Sequence, residues 1–211
     1  MHFEFLVEDA SGKVALEILV PKIVGDSHTI KVICYKGVGR IPPGMRPEAD
    51  PKRRLLLDQL PRLLRGYGAT YAQYPDGCRP ALFVVCDLDR RCQKSFREEL
   101  LQLLASIGPR PEVFFCFAIE EGEAWLLGDI PAVKSAYKDA DGSILKRYVN
   151  DAICGTWEIL AEAIHRGGAG ELRRSSWCAV GAQKSNWSSK IAPHMKVDAN
   201  RSPSFRYFRD K

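Results

Sequence analysis

Two apolar runs, ALFVVC (81–86) and VFFCFAI (113–119), carry no charged side chain at either parity. A strand of that composition must bury both faces, and such strands interleaved with helices specify a parallel sheet covered on each side. The pattern around them agrees. FEFLV (3–7) reads as a first strand followed by a turn at EDASG. The apolar positions after Ser11, a candidate N-cap, predict a helix ending near Pro21 or Gly25. HTIKVICYK alternates Ile30, Val32 and Cys34 as a second strand, and GVGRIPPGMRPEADP follows as a Gly/Pro-rich loop. A helix is predicted over 52–65, with Leu56, Leu60 and Leu63 on one face, and another over QKSFREELLQLLASIG, stopped by Gly108 and Pro109. Beyond Glu120 the strands cease. EGEAWLLGD, 156–165, 184–194 and a last turn around Phe205 read as helical, while GSILK, RGGAGE and KVDANRSPS read as loops. The expected fold is α/β: a mostly parallel, Rossmann-like sheet flanked by helices.

Charge divides the chain. Residues 130–211 carry 14 Lys or Arg against 8 Asp or Glu, or +6; residues 1–129 carry 17 against 18, or −1. This predicts an α/β core over 1–129 with a helical, basic C-terminal region over 130–211 packed on it, offering a surface for polyanions. ELRRSS and NRSPSFRYF interleave arginines with aromatics, which makes Arg173, Arg174, Arg201 and Arg206 candidates for a phosphate track. No apolar run reaches the ~20 residues of a membrane span, so no membrane role is expected. The N-terminus MHFEFLVEDA lacks a basic n-region, and the seven cysteines show no C-x-x-C spacing, which together predict a reducing cytoplasm. The four histidines are scattered, so a metal here is expected to be a hard ion held by oxygen. KGVGR lacks the spacing of a phosphate loop. The edge strand near 31–35 offers a surface for a second copy. Among the tryptophans, Trp125 and Trp157 (the latter with Ile153, Leu160 and Ile164) read as core, and Trp177 and Trp187 as anchors of a C-terminal subregion or as base-stacking platforms.

Acids stand at the ends of three predicted strands: Glu8 and Asp9; Asp87 and Asp89; Glu120, Glu121 and Glu123. Ligands of open parallel sheets gather at that edge. Alternation along an extended chain sets Asp87 and Asp89 on one face, and clustered carboxylates repel unless a cation separates them. Mg²⁺ suits that donor set.

FLVEDASGKVALEIL resembles the first strand, turn and helix of the Toprim fold, and FVVCDLDR its Asp-x-Asp strand. CFAIEEGEAWLLGD and QKSNWSSKIAPHMKVDANRSPSFRYF resemble one branch, a family of small prokaryotic Toprim-like proteins similar to the nuclease half of OLD-family (overcoming lysogenization defect) proteins. The resemblance spans essentially the whole chain. It implies a Mg²⁺- or Mn²⁺-dependent nuclease that nicks or cleaves DNA in a prokaryotic defence or repair system, beside a separate ABC-type ATPase. It also implies roles: Glu8 as metal ligand or general base, Asp87 and Asp89 as the metal-binding pair, Glu123 as a further acid. Glu120 or Asp129 would help, and Lys184 would steady the scissile phosphate. The chain departs from the Toprim pattern at Asp9, where glycine follows the glutamate, and at Gly12, where a second acid stands. Those departures open an alternative, a non-catalytic nucleic-acid-binding or assembly subunit on the same scaffold.

Overall fold

The computed structural model describes residues 1–42, 51–75 and 80–211; the remainder of the predicted loop after Gly37, residues 43–50, lies outside them. Strands β1 (His2–Val7), β2 (Thr29–Cys34), β3 (Ala81–Asp87) and β4 (Val113–Ala118) form one sheet in the order β2-β1-β3-β4, every pairing parallel. The register sets Phe5 beside Val32 and Phe83, and Phe83 beside Phe114. Helices α1 (Ala10–Val24), α2 (Leu56–Tyr71) and α3 (Gln93–Ala105) join the strands. After β4 come α4 (Glu123–Leu127), α5 (Ile130–Ala136), α6 (Gly142–Arg147), α7 (Thr156–Ile164), α8 (Gly168–Arg174), α9 (Trp177–Ile191) and α10 (Pro203–Arg209).

Alternation along the strands divides the core in two. Phe5, Val7, Phe83, Val85 and Cys116 pack with Leu16 and Leu19 of α1, and with Trp125, Trp187, Phe205 and Phe208 from the C-terminal helices. Leu6, Leu82, Val84, Cys86 and Phe117 face the other way, onto the leucines of α2 and Phe96, Leu100 and Leu103 of α3. The residues after Asp129 thus share one hydrophobic core with the first sheet face. No helix of the described residues is long and apolar enough to cross a membrane.

Several local readings change. The cap of α1 is Asp9: its carboxylate accepts Gly12 N–H at 2.8 Å and the Ser11 hydroxyl at 2.7 Å. α2 starts later than expected and runs on through Gly66 and Gly68. A Cβ at Gly68 would come within 1.9 Å of the Pro109 carbonyl, so glycine there allows close packing instead of ending the helix. GSILK is helix α6, because Asp141 caps Ser143 and Ile144 N–H groups from one residue upstream. RGGAGE is a turn at Gly167 followed by α8, and α9 begins at Trp177, capped by Ser176. Since α7 starts only at Thr156, Ile153 precedes it and stays exposed. Trp187 is fully buried, whereas Trp177 is 84% exposed and anchors nothing in the core.

One charge lies inside the second core. Glu4 is buried on β1, held by Lys31 Nζ at 2.8 Å and by the hydroxyls of Tyr67 (2.7 Å) and Tyr71 (3.4 Å) donated from α2. Burial pushes its carboxyl up, but the Lys31 and Tyr67 hydrogen bonds outweigh it and hold Glu4 below its ordinary range. Tyr67→Phe is expected to cost about 1–2 kcal/mol, read as a lower urea midpoint at pH 7. An unchanged midpoint would show that Tyr67 adds nothing to this charge.

Candidate active site

The carboxyl edge of the sheet is where the predicted acids meet. β1 ends at Val7, beside Val85, so the next residue, Glu8, falls alongside the end of β3. Glu8 Oε2 accepts the Asp87 backbone N–H at 3.1 Å. From the far side, α4 brings Glu123, only 2% exposed, and α9 brings Lys184, whose Nζ lies 3.0 Å from Glu123 Oε2 and 3.4 Å from Glu121 Oε2. Glu123 Oε2 accepts no hydrogen bond of good geometry, so the ammonium is its compensation. Glu8, Asp9, Asp87 and Glu123 stand in the wall of a narrow, mostly apolar cavity of about 40 Å³ between α1 and α4, with Leu16, Leu19, Val85 and Trp125 among its other lining residues. That is room for an ion and a water or two, and too little for a nucleotide.

The charge balance is poor for the two acids nearest the strands. Burial, then the fields of Asp89 and Asp9, push Glu8 up to about 7 against the single Asp87 N–H bond and the more distant Lys184. Burial and the Glu8 charge push Asp87 well above the ordinary carboxylate range. Glu121 is raised to about 7, first by burial, with Lys184 opposing. Lys184 itself is raised: burial would lower it, but Glu123, Asp87 and Glu121 outweigh that.

No family model, curated protein or solved structure matches this chain. Its site is therefore read from its own residues.

Asp89 stands apart from the pair geometry that alternation predicts. β3 ends at Asp87, and Asp89 takes a left-handed backbone (φ 53) while its N–H pairs with the Glu120 carbonyl at 2.9 Å. It is exposed and lines an adjoining open cleft of about 650 Å³ with Arg90, Glu121, Glu158 and Arg173. Glu120 turns away from the acids: its carboxylate accepts the N–H groups of Cys154, Gly155 and Thr156 and the Thr156 hydroxyl at the start of α7. Asp129 likewise caps α5 through Ala132 N–H and takes Lys196 N–H at 2.8 Å. Of the basic candidates, Arg173 pairs with Glu158 at 2.6 Å on the cleft wall, and Arg174, Arg201 and Arg206 are exposed elsewhere. Glu121 is a site residue that the acid cluster alone did not single out; only the position of Lys184 distinguishes it from Glu120.

A divalent ion fits this donor set in chemistry. Magnesium is usually held by one or two carboxylates, with waters and substrate oxygens completing its shell. Glu8 and Asp87 are two such carboxylates, short of counter-charge. Among the described residues no three His, Cys, Asp or Glu side chains form a ready-made cage.

The block that carries Glu123 is locked by the chain's last segment. Asn200 Nδ2 donates to the Trp125 carbonyl at 2.8 Å, Arg201 N–H to the Gly128 carbonyl at 2.8 Å, and Trp125 Nε1 to Ser204 Oγ at 2.9 Å. Asp151, itself left-handed (φ 58), accepts from Ser202 Oγ and Ser204 N–H. IEEGEAWLLGD and NRSPSF, from the two segments that carry the family resemblance, are thus the two halves of one contact.

Three outcomes follow. Lys184→Met strands Glu123 as a buried, unpaired charge and is expected to cost about 3–5 kcal/mol, with Lys184→Met/Glu123→Leu recovering most of it; a double variant no more stable than the single would refute the pairing. Gly128→Ala drives a Cβ to 2.1 Å from Asn200 Oδ1 and is expected to lower the melting temperature by several degrees. Finally, the folded state holds the Glu8, Asp87 and Glu121 protons more tightly than the unfolded chain, so ionising them disfavours folding. Stability should fall as pH rises from about 5 to 7.5, and Glu8→Gln should flatten that slope in urea titrations.

Proposed function

We propose that this chain is a Mg²⁺- or Mn²⁺-dependent nuclease that nicks or cleaves DNA at the carboxyl edge of a Toprim-like sheet. The observation that carries the reading is the junction of Glu8 and Asp87: two acids at the ends of separate strands, the Glu8 carboxylate accepting the Asp87 backbone N–H and both carboxyls pushed toward their protonated forms. Their shortage of positive charge is what a divalent ion relieves, and Glu8 and Asp87 would hold it. When bound, such an ion polarises a phosphodiester and acidifies an attacking water. Lys184, kept at the rim by Glu123 and Glu121, limits the repulsion among the acids. The neighbouring 650 Å³ cleft is lined by Asp89, Glu120, Glu121 and Glu158 with Arg90 and Arg173; since Arg173 pairs with Glu158, Arg90 is the cation there that would meet a phosphate. The Toprim and OLD-family likeness of FLVEDASG, FVVCDLDR and IEEGEAWLLGD supports DNA as the substrate, a role in defence or repair, and an ABC-type ATPase as a separate partner.

A second reading has its own support. Asp9 is consumed as a helix cap, Lys184 already supplies counter-charge, and no three-ligand cage stands among the described residues. On that reading the chain binds nucleic acid without cutting it.

Incubation of the purified protein with supercoiled plasmid and Mg²⁺ or Mn²⁺ is expected to give nicked or linear product, and Asp87→Ala to abolish it. Equal cleavage by the variant overturns the nuclease reading. Calorimetry showing no Mn²⁺ binding at millimolar ion, with DNA binding retained, selects the second.

A further inference from the structure

A second cleft opens on the far end of α4 from the acids. It has a volume of about 730 Å³, and its walls carry Lys134 from α5, Lys146 from α6, and His194, Lys196 and Arg201 from the segments flanking α9 and α10. All five side chains belong to exposed residues. The single acid in its lining is Asp129, which is buried and already accepts the N–H groups of Ala132 and Lys196. None of the four Lys and Arg side chains makes an ion pair among the described residues. Here four are left unanswered in one concavity.

We infer that this cleft binds the phosphodiester backbone of a nucleic acid. The cations come from separate segments and line an open wall, so they can meet successive phosphates along a strand. A small anion is usually gripped by buried, converging donors, which this cleft lacks. Exposed lysines acting as point charges, with no acid to answer them, are the recurring means of neutralising phosphates without reading sequence. The place of the cleft adds to this. α4 begins at Glu123 in the acid site and passes into Leu127 and Gly128 on the cleft lining. Five residues of helix separate the two by about 8 Å along its axis. The cleft and the carboxylates thus lie at opposite ends of one short helix whose five residues are buried. The inference deepens the nucleic-acid reading above, and it needs neither a metal nor catalysis.

The test is binding, measured in EDTA on full-length protein by fluorescence anisotropy with labelled single-stranded DNA, duplex DNA and RNA of one length. Lys146→Glu/Lys196→Glu is expected to weaken binding at least tenfold and to lower the slope of log affinity against log salt by about 2. Arg62→Glu/Arg65→Glu on α2, an equal change of net charge on the opposite face, is expected to stay within twofold. Equal weakening by both charge reversals would overturn the inference, since net charge alone would then account for binding. So would the absence of binding to any of the three nucleic acids. Which nucleic acid binds tightest identifies the polymer.

Discussion

One ammonium holds the carboxyl edge together. Parallel strands deliver Glu8 and Asp87 to the same rim, and α4 adds Glu123 from a helix whose other side chains are core. Four or five acids in so small a space repel each other, and folding concentrates them regardless of what they do. Lys184 answers the most buried of them directly, at 3.0 Å from Glu123, and reaches Asp87 through the field alone. The compensation is incomplete, and the deficit falls on Glu8 and Asp87. That deficit of positive charge is the physical basis of the proposal that this edge takes a divalent ion.

The position of Lys184 depends in turn on packing far from the acids. α9 lies along α1, and Trp187, one turn beyond Lys184, is fully buried beneath it. α4 is pinned by Asn200, Arg201 and Ser204, so the Glu123 carboxylate is placed by the end of the chain. The basic C-terminal region therefore has two tasks: its inner face fixes the catalytic candidates, and its outer face leaves lysines unpaired.

Parity and periodicity made much of this legible. ALFVVC and VFFCFAI announced a sheet buried on both faces, and the acids at three strand ends pointed to the edge that matters. The departures are as instructive. Alternation sets Asp87 and Asp89 on one face only while the backbone stays extended, and Asp89 leaves the strand at φ 53. Glu120 and Glu123 looked alike in sequence; one caps α7 and the other is buried against a lysine. Gly and Ser in GSILK and RGGAGE weigh toward loops, whereas Asp141 and the turn at Gly167 start helices there.

The two-sided sheet, its interleaved helices and the acids at strand ends are all readable from residues within single elements. Which acid meets which cation follows from the three-dimensional packing instead. Lys184 and Glu121 are 63 residues apart, and Glu4 finds Tyr67 at the same separation. Pairs like these are set by how helices cross a sheet, and no local pattern of side chains encodes that crossing.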